Sequence, residues 1–261
     1  FTDLAAWKER GLARVRELMY YAPPKVDPAA EIVERVDRGD YFQERVLFNT
    51  TPHIRVPAAL LIPKKAKLPA PAIVALHDHG GFYLWGQEKL LDVPDEHPSL
   101  TEMKKAYDNR PIAVELVRRG YVVIVIDMFY WGERRLVLED DAADFRDRLP
   151  TITPDRVIEF NRRAAANEQL LGRTLYAAGT TWPGIMCTDD VRTVDYLVTR
   201  PEFAEQQLGV VYRYEQGQSQ LVAAMGAADK FAPLQQPKLL NQLGNKPLAQ
   251  NTFLWTDNNG D

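Results

Sequence analysis

The chain's inventory of nucleophiles and bases is short. Ser occurs only at Ser99 and Ser219, His only at His53, His77, His79 and His97, and Cys only at Cys187. A hydroxyl or thiol nucleophile needs a base beside it, so any such mechanism must be assembled from these positions. The densest group is His77-Asp78-His79-Gly80-Gly81, which begins at the last residue of the apolar run 72–77 (AIVALH). Two glycines after a buried strand let the backbone turn sharply and aim N–H groups into the crevice at the strand's C-terminal end. Such N–H groups can stabilise a developing oxyanion. The same residues also read as no more than a tight strand-to-helix turn. His77 and His79 alternate by two, which puts both on one face of an extended segment, and Glu88 or Asp92 would complete a metal alternative. The Asp-His pair of the zinc-hydrolase signature is absent, so no metal and no cofactor are expected. A lone thiol forms neither an intramolecular disulfide nor a Cys-rich zinc site.

These residues need elements to position them. Residues 2–20 carry Leu4, Trp7, Leu12, Val15 and Leu18 at helical spacing and predict an amphipathic helix ended by Pro23-Pro24, packed on the domain's flank. Residues 44–50 and 54–62 predict a hairpin at the sheet edge, where Pro57 and Pro63 are tolerated. The run 72–77, a helix over 111–119 and the run 121–127 (YVVIVID) form a strand-helix-strand unit, which implies a parallel pair. Residues 133–172 predict a charged insertion with a long helix after Thr153-Pro154, able to cover the strand ends. A further helix is expected over 188–199, a third parallel strand over 208–214 and a small-residue helix over 221–231.

Composition bounds the class of protein. With 46% hydrophobic and 26% charged residues the chain reads as globular, and a net charge of -4 offers no field to condense on phosphates. Neither a nucleic acid nor a membrane is an expected partner, since no apolar run is long enough to span a bilayer, and residues 1–20 show no signal-peptide core. A homo-oligomer is an open expectation, and the compartment is left open. Composition breaks near residue 203: Asn plus Gln number 7 in the first 201 residues and 14 in the last 60, while Arg falls from 20 to 1. The expected organisation is an N-terminal helical segment over 1–43, an α/β domain over 44–231 and a peripheral tail over 232–261.

Three blocks in order, HDHGG after an apolar strand, RRGYVVIVID with Trp131-Gly132 shortly beyond Asp127, and TDDVRTVDYLVTRPE, resemble the α/β-hydrolase esterases of the acetyl xylan esterase and dienelactone-hydrolase-like group. The resemblance covers roughly residues 40–202. It implies a mostly parallel sheet with helices on both faces, truncated on its C-terminal side, and hydrolysis of a small-molecule or carbohydrate ester. Gly80 and Gly81 take the oxyanion-loop role by resemblance, and Asp127 stands where the family keeps an acidic residue that orders the loop.

The family's Gly-x-Ser-x-Gly elbow is missing. Where it should stand, residues 212–220 read YRYEQGQSQ; Tyr214, Glu215 and Gly217 fall in the elbow region, and Ser219 lies just inside the expected helix, where it also suits an N-cap. No histidine follows His97, so the base that the fold draws from after its last strand is not encoded. His79 is the one histidine with a route to the site, although it also suits ordering of the loop, and Asp78 points the wrong way to orient it. Ser219 and His79 are therefore the catalytic candidates of a carboxylic-ester hydrolase whose competence as an enzyme is left open. The rival readings are a non-catalytic hydrolase-like binding protein, and a chain whose residues after 202 do not represent the natural enzyme. The glycine loop should face the turn after strand 208–214, and residues 250–256 (QNTFLWT), or a partner subunit, should cover that strand's edge.

Overall fold

The structure is a computed structural model that describes residues 3–148, 150–208, 210–215 and 218–224. The helix α1 (Leu4–Met19) leads into the strands β1 (Glu31–Asp37), β2 (Tyr41–Thr51), β3 (Ile54–Pro63) and β4 (Ala70–Ala75). There follow α2 (Pro98–Met103), α3 (Ile112–Arg118), β5 (Val122–Ile126), α4 (Ala143–Asp147), α5 (Pro154–Ala177) and α6 (Trp182–Leu197). The strands β6 (Phe203–Leu208), β7 (Val210–Glu215) and β8 (Gln218–Ala224) complete the described chain.

Six strands form one sheet in the order β1-β2-β3-β5-β4-β6. Successive residues of β3 and β5 point to opposite faces, and both faces are buried. Ala58, Leu60, Ile62, Val122, Ile124 and Ile126 join Tyr196 and Leu197 of α6 on one side. Ala59, Leu61, Val123 and Val125 meet Ala113, Val114 and Val117 of α3 on the other. This is why the two central runs read as continuous hydrophobicity rather than alternation. Helices on both faces are therefore present as expected.

The expectation of a mostly parallel sheet needs correcting. Pairs β4/β5 and β4/β6 are parallel, but β1/β2, β2/β3 and β3/β5 are antiparallel. For β1/β2 and β2/β3 the cause is local: the links are too short for a crossover, so each strand must fold back on the last. The stretch 1–43, expected to be helical, accordingly also holds β1 and the start of β2. The strand β1 escaped notice because it is exposed along most of its length and lacks an apolar face. Helix α1 stops at Tyr20, which takes a left-handed cap with φ 47°, before the proline pair is reached. Its apolar stripe packs only in part, since Trp7, Leu12, Val15 and Leu18 remain about half exposed.

Beyond α6 the chain departs further from expectation. The strand beside β4 is β6, five residues earlier than expected, paired through Ala70 with Phe203 and Ala72 with Leu208. The helix expected over 221–231 is, as far as Ala224, the strand β8, which pairs antiparallel with β7 in a separate two-stranded sheet. The run VYRYEQGQSQLVA offers β-branched and aromatic residues on both sides of a Gln-Gly pair, a hairpin pattern that outweighs the helical preference of the alanines. The tail 232–261, and with it the expected covering segment 250–256, lies outside the described residues.

Candidate active site

The chain leaves β4 toward α3 on one face of the sheet and leaves β5 toward α6 on the other. Connections that diverge in this way open a crevice beyond the carboxyl ends of the two strands. Into it run residues 76–81 from β4 and 127–132 from β5. A third apolar cluster roofs them: Tyr83, Tyr130 and Trp131 pack with Val157, Phe160 and Ala164 of α5. The charged insertion thus covers the strand ends as expected, with α5 capped by the Thr153 side chain.

His79 to Phe82 form the glycine turn. Gly80 and Gly81 have φ of 51° and 64°, and Phe82 N–H donates to the His79 carbonyl at 3.3 Å. Two central residues in the left-handed region define a turn of the I′ kind, which favours glycine at both. The same carbonyl accepts from Trp131 Nε1 at 3.2 Å and Lys89 Nζ at 3.4 Å. A trans peptide sets its C=O and N–H in opposite directions, so three donors holding the His79 oxygen inward turn Gly80 N–H outward. Gly80 N–H has no partner among the described residues, whereas Gly81 N–H is spent on His79 Nδ1 at 3.1 Å. One of the two expected oxyanion donors is thus free and the other engaged.

Beneath the loop lie three buried titratable groups. Lys89 is fully buried and donates to the Asp78 carbonyl at 2.8 Å; burial pulls its ammonium down to about 8, with Asp78 opposing. His77 donates from Nδ1 to the Asp78 carbonyl (3.0 Å) and accepts Met128 N–H at Nε2 (3.2 Å), an assignment that follows from Nε2 facing a donor. Burial, then the charge of Lys89, lower it from 6.5 to about 4, so it is neutral near pH 7. Asp127 is completely buried and accepts Gln87 N–H at 2.7 Å and Glu133 N–H at 2.8 Å. Burial and then Glu88 raise it to about 7 against those two bonds. Asp127 ties the two crevice loops together, the ordering role its resemblance implied. Only glycine fits beside it: a Cβ on Gly132 would lie 2.4 Å from Oδ2, and one on Gly86 2.2 Å from Oδ1.

His79 stands at the crevice mouth, half exposed. Since Nδ1 accepts Gly81 N–H, Nε2 carries the proton and donates to Glu168 Oε1 at 2.7 Å. Glu168 also accepts Tyr83 OH at 2.5 Å. Both ring nitrogens are occupied, which is the geometry of a loop-ordering histidine rather than of a base with a lone pair to spare. Asp78 does face away from it, bonding Tyr107 OH and lying 3.7 Å from Lys89. His97 caps α2 by accepting Ser99 N–H and donates to the Ile152 carbonyl at 2.8 Å; His53 sits in the turn between β2 and β3.

Tyr214 and Glu215 lie on β7 and Ser219 on β8, with Tyr214 directly opposite Ser219. The expected strand-to-helix elbow, and the helix N-cap role for Ser219, are therefore replaced by paired strands; Gly217 lies outside the described residues. The metal alternative does not assemble either, because His77 and His79 are committed to different partners. Among the described residues no group of three His, Cys, Asp or Glu is placed to hold a metal ion, and no helix is long and apolar enough to cross a membrane.

Sequence reasoning missed Lys89, Glu168 and the role of Trp131 under the loop. Glu168 lies 89 residues from His79 in the chain, and nothing local marks it among the insertion's many charges. Lys89 carried a faint signal: it falls between Glu88 and the apolar Leu90-Leu91, where a lysine has little surface to reach.

A mixed sheet crossed by helices on both faces, with a glycine turn at the central crevice, defines an α/β-hydrolase-like fold. The abhydrolase family model matches residues 1–145, and the chain belongs to that family. A relative named as a hydrolase, YtaP of Bacillus subtilis (strain 168), is 25% identical over 191 residues, covering 72% of this chain and 50% of its own. Among solved structures, a Bacteroides fragilis protein named as an acetyl xylan esterase is 19% identical, covering 76% of this chain and 44% of its own, with a TM-score of 0.49. Acetyl xylan esterase 1 from Thermoanaerobacterium sp. is 15% identical, covering 76% and 48%, with a TM-score of 0.41. The chain spans about half the length of the curated relative it matches.

Proposed function

We propose that the chain acts on a carboxylic ester, holding the carbonyl oxygen against Gly80 N–H while water replaces the alcohol to leave acid and alcohol. The observation that carries this reading is the grip of three donors on the His79 carbonyl, which by peptide geometry turns Gly80 N–H outward. A preorganised backbone donor needs no reorganisation as charge develops on the oxygen. The buried Lys89 ammonium adds positive potential beneath the same peptide.

A second reading, a hydrolase-like protein that binds an ester without turning it over, is favoured by the histidines. His77, His79 and His97 each have both ring nitrogens engaged. Without a base a serine hydroxyl is a poor nucleophile, so slow turnover is expected. Release of p-nitrophenol from its butyrate ester separates the readings. Turnover above buffer that falls at least tenfold in Gly80→Ala, whose Cβ would lie 2.3 Å from Asp78 Oδ2, supports the hydrolase. Turnover at the buffer rate together with saturable ester binding supports the binding protein. In either case Ser219→Ala should change the rate less than about twofold; abolition by that substitution would restore Ser219 as the nucleophile.

A further inference from the structure

Residues of the glycine turn line two cavities. Asp78 and His79 line one of 340 Å³, whose other walls are Met128, Trp131, Trp182 and Met186. Gly80 lines the other, of 490 Å³, walled by Phe82, Met103, Val157 and Ile158. Both volumes fall in the range of about 300–1,000 Å³ typical of small-molecule sites. Both surfaces are mostly apolar, and the second also carries Ser99 and Asn161. Their titratable lining groups among the described residues are Asp78, His79 and Glu168 in the first and Glu102 in the second, with no Lys or Arg in either.

Resting on the ester reading, we infer that the substrate is a neutral ester with an apolar group on each side of its carboxyl, one in each cavity, and the carbonyl oxygen on Gly80 N–H between them. An acetyl group would leave one cavity unfilled, whereas an apolar group in each covers the mostly apolar walls of both. A carboxylate on either arm would meet the cavity's own carboxylate and no cation. Each methylene added to an arm, up to the cavity's capacity, should tighten binding roughly fourfold.

The test uses binding by the full chain, read as quenching of tryptophan emission, because Trp131 and Trp182 line the first cavity. The probes are the ketone isosteres of benzyl hexanoate and benzyl acetate, with CH2 in place of the ester oxygen, and a hexanoate isostere ending in a carboxylate. The long neutral ketone is expected to bind at least tenfold more tightly than either of the others. Met186→Glu and Ile158→Glu place a charge in one cavity each; Ile158 is 65% exposed, so the fold tolerates it, and Met186→Gln is the milder substitute on α6. Each should weaken the long ketone about tenfold. Affinity indifferent to arm length, or sensitive to one variant alone, overturns the two-armed site. If the ketone behaves as expected while benzyl hexanoate is not hydrolysed, the two-armed site stands and the hydrolytic reading falls. If benzyl hexanoate is hydrolysed with a KM unchanged in both variants, hydrolysis stands and the two-armed site falls.

Discussion

Replacing His77 by glutamine should flatten the acid side of the stability profile. The folded imidazole is buried, with both nitrogens committed, and its proton affinity is lowered from 6.5 to about 4, first by burial and then by Lys89. Below pH 6.5 the unfolded chain takes up a proton that the folded chain refuses until about pH 4. The unfolded state therefore binds more protons in this window, and stability falls as pH drops through it. The full gap corresponds to about 3 kcal/mol, of which about 2 kcal/mol is lost by about pH 5. Asp127 acts with the opposite sign: its folded affinity is raised from 3.8 to about 7, so the folded state holds the extra proton and stability falls as pH rises through that window. Because Asp127 is common to both proteins, the difference between wild type and His77→Gln isolates the histidine. At about pH 7 the glutamine oxygen can still accept Met128 N–H, but the bond to the Asp78 carbonyl is lost, at a cost of about 1–2 kcal/mol. Urea unfolding at several pH values, followed by tryptophan emission and far-UV circular dichroism, measures both quantities. Wild type should lose about 2 kcal/mol more than the variant between about pH 7 and about pH 5. Parallel profiles would refute the claim that a buried neutral His77 sets this slope.

Gly132→Ala combines a positive φ of 60° with a Cβ overlapping the Asp127 carboxylate, and should cost about 3 kcal/mol, lowering the melting temperature by roughly 10 °C. Gly39→Ala, with a φ of 83° but open space around it, should cost only about 1 kcal/mol; equal losses in the two melts would remove the carboxylate from the explanation. Arg134→Met strands the buried Asp189 carboxylate, bonded to Arg134 at 2.6 Å, and should cost about 3–5 kcal/mol in urea unfolding. The double variant Arg134→Met, Asp189→Leu should recover most of that loss, and failure to recover would show that the cost is not an unpaired charge. Glu168→Ala frees the His79 ring that holds Gly81 N–H, so hydrogen exchange at the Gly81 amide should accelerate at least tenfold while the β5 amides stay protected. An unchanged Gly81 rate would mean that Glu168 does not order the turn.

The parts of the fold legible from sequence were those in which the local signal and the tertiary environment agree. The runs at β4 and β5, the Pro-led α5 and the glycine pair after β4 stand within a few residues of their expected places, because burial on both faces, the proline's missing donor and left-handed backbone each leave a mark on residue type. The absence of a Gly-x-Ser-x-Gly and of any histidine after His97 was likewise a property of the sequence alone. Pairing direction was not: antiparallel neighbours outnumber parallel ones because of the short links among β1, β2 and β3, and β1 carries no apolar face to betray it. Nor could local pattern choose between helix and hairpin after Val210, where alanines and β-branched residues compete. The chemistry of the crevice was decided in three dimensions. Whether His79 has a nitrogen to offer depends on Glu168, far along the chain, and on Gly81. Whether Gly80 N–H turns outward depends on Lys89 and Trp131 gripping the carbonyl of the same peptide. Hydrogen bonds across such separations leave no periodicity in a sequence, since they constrain one atom at each end and nothing between.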